Sequence, residues 1–262
     1  MLPLIYKFEL FKTVRALRYV FFLVPQHVAV DFFEKYSTFA FLGCARFAPV
    51  RFLPEHGFYK ILIKMDNTYD IETFIDKLEG ELVRICRESG FKVTSAPVEG
   101  IVNGSVQTAP SMLLSSPDID EHWQKLGGDY VADAMPQIAD YPTVAVAWAS
   151  YLGMAVACGW DSDWSMCSNM PYSVYYGPQG FDDMDDHIIT DIIGIDLNSP
   201  EAGSLRDLFR RCADATISLI RHENIEPQSI SAYQVFVASC HEMYRIGAAV
   251  ELARLGYKFE KL

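Results

Sequence analysis

From residue 65 onward the sequence predicts an all-α fold, a helical bundle of about six helices. Three observations carry that prediction. Apolar residues recur at helical spacing in several long segments. Serine, aspartate, proline and glycine stand where helices start and stop. One uncharged, alanine-rich stretch has the composition of a central rod.

The first helix follows Asp70, a suitable N-cap. Ile71, Phe74, Ile75, Leu78, Leu82 and Ile85 then mark one face, and Gly90 is a suitable stop. Residues 91–117 are rich in Gly, Pro, Ser and Thr and read mostly as loop, with a short strand at Phe91–Thr94. Asp118 with Glu121 resembles a capping box for a helix over 119–134.

Pro142–Trp160 contains no charge, and its 19 residues approach the length of a membrane span. Its alanine, glycine and serine give only weak transfer free energy, and Asp140, Asp161 and Asp163 flank it without a basic anchor. The stretch therefore reads as a buried central helix over 142–158. Ala145, Ala149, Gly153 and Ala157 recur every four residues, a stripe where a second helix can approach closely.

An irregular stretch over 159–181 follows, then a short helix near 182–194. Ser199 and Pro200 form an N-cap and first-turn pair. Beyond them Leu205, Leu208, Phe209, Cys212, Thr216, Leu219 and Ile220 mark a buried face, and Arg206, Arg210, Arg211, Asp214 and Arg221 a wet one. After Pro227 a last helix over 228–254 carries Tyr233, Phe236, Val237, Cys240, Met243, Tyr244, Gly247 and Val250 as a broad apolar stripe.

Residues 1–64 differ in kind. They hold 9 Lys/Arg against 4 Asp/Glu, and 15 of the 35 aromatic residues; residues 65–262 hold 13 Lys/Arg against 30 Asp/Glu. The chain thus divides into a basic, aromatic-rich N-terminal extension, 1–64, and an acidic helical domain, 65–262. Phe58–Met65 alternates as a strand would. Two readings fit the extension: an upstream reading-frame extension with Met65 as the true start, or a basic arm docking on the acidic body. A secretory or anchoring segment is disfavoured, because the apolar run after Arg18 ends after six residues at Pro25.

The net charge of −12 argues against nucleic acid as a partner and against an anionic membrane surface for the main domain. The six cysteines form no C-x-x-C pair and read as reduced, mostly buried thiols of a cytoplasmic protein. No internal repeat, phosphate-binding loop or nucleophile-elbow motif occurs.

Two constellations could carry chemistry. In the first, Trp160 and Trp164 flank Asp161 and Asp163, and Tyr172, Tyr175 and Tyr176 follow. Rings beside carboxylates form platforms for sugars, cations or protein partners. The plainer alternative is that these rings seal the end of the bundle. In the second, Asp183, His187 and Asp191 lie one turn apart if the segment is helical, so carboxylate and imidazole could hold a divalent metal ion. His241 reads as a hydrogen-bonded histidine at the core edge.

The leading expectation is a soluble, non-catalytic binding or interaction module. It would use the 159–187 loop, require no cofactor, and take a protein partner or self-associate through its small-residue helix faces. The alternative is a metal-dependent hydrolase on Asp183, His187 and Asp191.

Overall fold

A computed structural model describes residues 69–96, 98–102, 105–109 and 112–259. The expectations for residues 1–64, and for a strand at Phe58–Met65, lie outside the described residues. The described residues form an all-α architecture with one small hairpin. Its elements are α1 (Ile71–Glu88), β1 (Val98–Val102), β2 (Ser105–Ala109), α2 (Pro117–Ala134), α3 (Pro142–Cys167), a short α4 (Met184–His187), α5 (Pro200–His222) and α6 (Ile230–Arg254). They fall into two units. One comprises residues 72–223 and 237–262, and the other includes residues 69–71 and 224–236.

Helix α1 buries Phe74, Leu78, Leu82 and Ile85, the face its periodicity marks, and Gly90 follows it at φ +89°. Between α1 and α2 the chain is more ordered than its composition predicts. Thr94 bridges Leu113, and β1 pairs antiparallel with β2 from Val98↔Ala109 to Val102↔Ser105. The expected strand at Phe91–Thr94 is thus a single bridge at the base of a hairpin. Helix α2 begins two residues earlier than the capping-box reading places it. Pro117 takes the first position, and Ser116 is the N-cap with no side-chain bond.

Helix α3 is the buried rod. Ala145, Ala149 and Ala157 are fully buried, and Gly153 lies among them. A Cβ added at Gly153 would sit 2.9 Å from Ala248 N, and closer still to the Tyr244 carbonyl. A Cβ at Gly247 would sit 2.7 Å from Ser150 Cα. The two helices therefore meet backbone to backbone, a separation only glycine permits. Tyr130 on α2 donates its hydroxyl to Ala145 O at 2.9 Å, and Tyr244 on α6 donates to Ile119 O at 2.8 Å. Both bonds satisfy buried phenols.

Helix α5 starts as predicted, with Ser199 Oγ accepting from Ala202 N at 3.1 Å. In α6 Ser229 Oγ caps in the same way, accepting from Ala232 N at 3.1 Å. Unlike α5, α6 has little wet face. Glu242 and Glu251 are buried together with its apolar residues. Arg245 Nη1 reaches Glu242 and Glu79 at 2.7 Å each, and Arg254 Nε reaches Glu251 at 2.9 Å. Buried carboxylates need such partners, because desolvation would otherwise cost several kcal/mol, on the order of 3–5.

Candidate functional site

Helix α3 runs nine residues beyond the predicted end at 158, to Cys167, with a break at Asp163 (φ −155°, ψ 86°). The break is locally stabilised. The Asp163 carboxylate accepts from Ser165 Oγ at 2.8 Å and Met166 N at 3.1 Å, capping the turn that follows. These bonds stabilise the charged carboxylate and hold its pKa below the usual carboxylate range. Trp160, Asp161, Asp163 and Trp164 therefore stand on a helix and its re-capped last turn. The expected loop at these positions is corrected accordingly, because the Asp163 carboxylate supplies the hydrogen bonds that carry the chain through the kink.

Trp160 Nε1 donates to Asp118 Oδ2 at 3.3 Å, and its ring meets that of Tyr257 edge-on at 5.6 Å. Tyr257 in turn donates its hydroxyl to Asp161 Oδ1 at 2.7 Å, and this bond holds the phenol protonated above its ordinary range. Two aromatic rings are thus each tied to a carboxylate. Tyr257 is 40% exposed, Leu255 39%, Phe259 41% and Met166 54%. Trp164 packs one turn further along α2, its ring edge-on to His122 at 5.0 Å.

The tyrosines separate from this group. Tyr172 and Tyr175 are buried in a 3₁₀ turn (Tyr172–Tyr175), and burial pushes both phenols above their ordinary range. Tyr172 packs edge-on against Tyr176 at 5.1 Å, and Tyr176 donates to Asp133 on α2. Phe181 closes the segment against Trp148 at 4.8 Å and Tyr130 at 5.7 Å. These rings plug the end of the bundle and do not share a platform with Trp160.

Asp183, His187 and Asp191 do not converge either. Asp183 lies at a 3₁₀ turn (Phe181–Asp183), where its carboxylate accepts from Gln179 N at 3.0–3.1 Å. Residues Ile188–Ile192 form a π-turn, and across it His187 and Asp191 still meet as their one-turn spacing predicts, while Asp183 is held apart by its own backbone contact. His187 Nδ1 lies 2.7 Å from Asp191 Oδ2, and its Nε2 lies 3.2 Å from Val174 O. Both ring nitrogens already face oxygen acceptors. Among the described residues no three His, Cys, Asp or Glu side chains are grouped to hold a metal ion.

Sequence reasoning missed Asp118 and Tyr257 as neighbours of Trp160. Gly256, at φ +94°, was the available signal: it ends α6 and turns Tyr257 and Phe259 out as a tail. The histidines were missed differently. His122 is buried with no partner for Nε2 among the described residues, and burial pushes it down to about 4. His241 stacks on Trp123 at 5.4 Å with Nε2 also unpaired, so the hydrogen-bonded histidine expected there is corrected. Burial again pushes the imidazole down to about 4.

A second group lies between α3, α4 and α5. Tyr151, Asp185, Asp186, Ile189 and Arg206 line a crevice with no room for a water-sized molecule. Burial, and then the adjacent Asp186, raise Asp185 above the usual carboxylate range. At the end of α3 and in the tail after α6, by contrast, Met166, Tyr257 and Phe259 are exposed. Comparison of the chain with protein-family models, with curated proteins and with solved structures finds no match.

Proposed function

We propose that this protein is a binding module that takes a protein partner on the exposed surface formed by the end of α3 and the tail after α6. The observation that carries the reading is the pair of rings, Trp160 and Tyr257, each tied to a carboxylate, with Met166 at the end of α3 and Leu255 and Phe259 in the tail also exposed. Aromatic rings held in one orientation lose little entropy when a partner covers them, which is why they anchor interfaces. Asp118, Asp161 and Asp163 give the rim a negative charge, which favours a partner segment with lysine or arginine beside an apolar side chain. Self-association through the small-residue stripe has less support, because that stripe is taken up by the contact between α3 and α6.

The proposal keeps the protein in water, in the cytoplasm. Helix α3 is long and apolar enough to cross a membrane by length and composition, yet 72% of its most apolar window is buried inside the protein. Glu242 and Glu251, buried on α6, also fit an aqueous fold better than a lipid-facing one.

The test is titration with a panel of peptides of matched length, basic-amphipathic against acidic and neutral, followed by indole NMR signals. The Trp160 signal should shift with the basic-amphipathic set, and Trp160→Ala should weaken that binding about 30-fold. Unchanged affinity in both Trp160→Ala and Tyr257→Ala refutes the assignment.

A further inference from the structure

Cys86 and Cys212 stand apart from the other thiols. Both are fully buried, Cys86 in the last turn of α1 and Cys212 in the middle of α5. Each stands on the buried side of its helix, and the register of the two helices places them together. Lys77 pairs with Glu223 at 3.1 Å, and Arg211 donates to Glu88 at 3.1 Å and to Ser89 Oγ at 2.9 Å. These bonds run α1 and α5 antiparallel, and the same register sets residue 86 opposite residue 212.

We propose that Cys86 and Cys212 are a redox-convertible pair that a low-molecular-weight disulfide oxidises to a bond stapling α1 to α5. The Cys86 thiolate attacks the external disulfide, expelling one thiolate and leaving a mixed disulfide on Cys86. Cys212, once deprotonated, attacks the Cys86 sulfur and expels the second thiolate. Two protein thiols lose two electrons, the external disulfide gains them, and both protons pass to the leaving thiols. Burial and mutual contact hold the Cys212 thiol protonated well above its ordinary range, so exchange waits for local opening. The position of Cys86 in the last helical turn, just before Gly90, places that opening at the end of α1, where fraying costs least.

The closed loop would span more than 100 residues, a length for which cross-linking constrains the unfolded chain strongly. The full-length protein, reduced and then incubated with oxidised glutathione, should lose two hydrogens in mass. It should yield a Cys86–Cys212 cross-linked peptide on non-reducing digestion. Its Tm should rise by about 10 °C, and Cys212→Ala should abolish both the cross-link and the rise. The wild-type peptide map stands on its own if that variant folds poorly. Recovery of Cys86 and Cys212 as alkylated free thiols overturns the proposal, as does a cross-link that lowers the Tm.

Discussion

Replacing Gly247 with alanine tests the backbone contact on which the fold depends. The new Cβ would lie 2.5 Å from Ser150 C and 2.7 Å from Ser150 Cα, both backbone atoms that cannot rotate aside. Ordinary contact needs about 3.4–3.5 Å between carbons, so α3 and α6 must separate by about 1 Å. A gap of that size forfeits up to about half of each dispersion well along the interface. For three or four buried side chains the loss is about 4 kcal/mol, near the upper end for overpacked cores. Alanine returns about 1 kcal/mol in helix propensity, leaving a net cost of about 3 kcal/mol. Thermal unfolding followed by circular dichroism should show Tm lowered by about 6–12 °C. A variant within about 1 kcal/mol of wild type would refute the contact. Gly153→Ala meets the same neighbour helix, so the double variant should cost less than the sum of the two.

Gly80 in α1 is the matched control. A Cβ there meets open space, so Gly80→Ala should stabilise by up to about 1 kcal/mol in urea unfolding. Arg245→Met leaves Glu242 buried without its cation and should cost about 3 kcal/mol above pH 7 by the same measurement. Burial already pushes Glu242 up to about 7, so part of that cost should return as the pH falls and the carboxyl takes up a proton. His122 predicts the opposite slope. Its folded-state value of about 4 lies below the ordinary imidazole value of 6.5. The unfolded chain therefore binds the proton first, and stability falls as pH drops from about 6.5 to about 4. Glu242 gains stability over much of that window, so the readout is the difference between wild type and His122→Gln. The variant should lose about 3 kcal/mol less between pH 7 and pH 4, and equal losses would refute the role given to His122.

The helices were legible where burial and punctuation agree. Phe74 to Ile85 in α1 and Leu205 to Thr216 in α5 face the core as their spacing requires, and Ser199 caps α5 through its own hydroxyl. The hairpin at 98–109 was missed because Gly and Ser dominated the reading. The sequence between its strands is Asn-Gly, a two-residue hairpin signal that outweighs composition. The end of α3 was missed for a tertiary reason. Asp161 and Asp163 end the uncharged run, but charge does not stop a helix, and the break at Asp163 carries its own cap. The candidate site was half legible. Trp160 and Asp161 stand out in the sequence as candidates, but their partners Asp118 and Tyr257 lie 42 and 96 positions away along the chain. No local pattern encodes such a pairing. The buried rings Tyr172 and Tyr175 resemble a platform in sequence because composition does not distinguish a ring that seals a core from one that faces water.

The contact between α3 and α6 also bears on where function can lie. When two helices touch through glycine, their shared face holds no room for a ligand, and Tyr130 and Tyr244 spend their hydroxyls on backbone carbonyls beside it. Two buried carboxylates are likewise paired, Glu242 with Arg245 and Glu251 with Arg254. The segment over 168–183 plugs one end with Tyr172, Tyr175 and Phe181. What remains is a place where the regular helix gives out. At Asp163 the axis of α3 breaks, and Trp160 meets a tail that has left α6 at Gly256. A break that exposes large apolar side chains while tying the rings to carboxylates costs solubility and gains nothing in core packing. Such a surface persists most readily where a partner covers it, which is the physical reason for placing recognition at Trp160 and Tyr257.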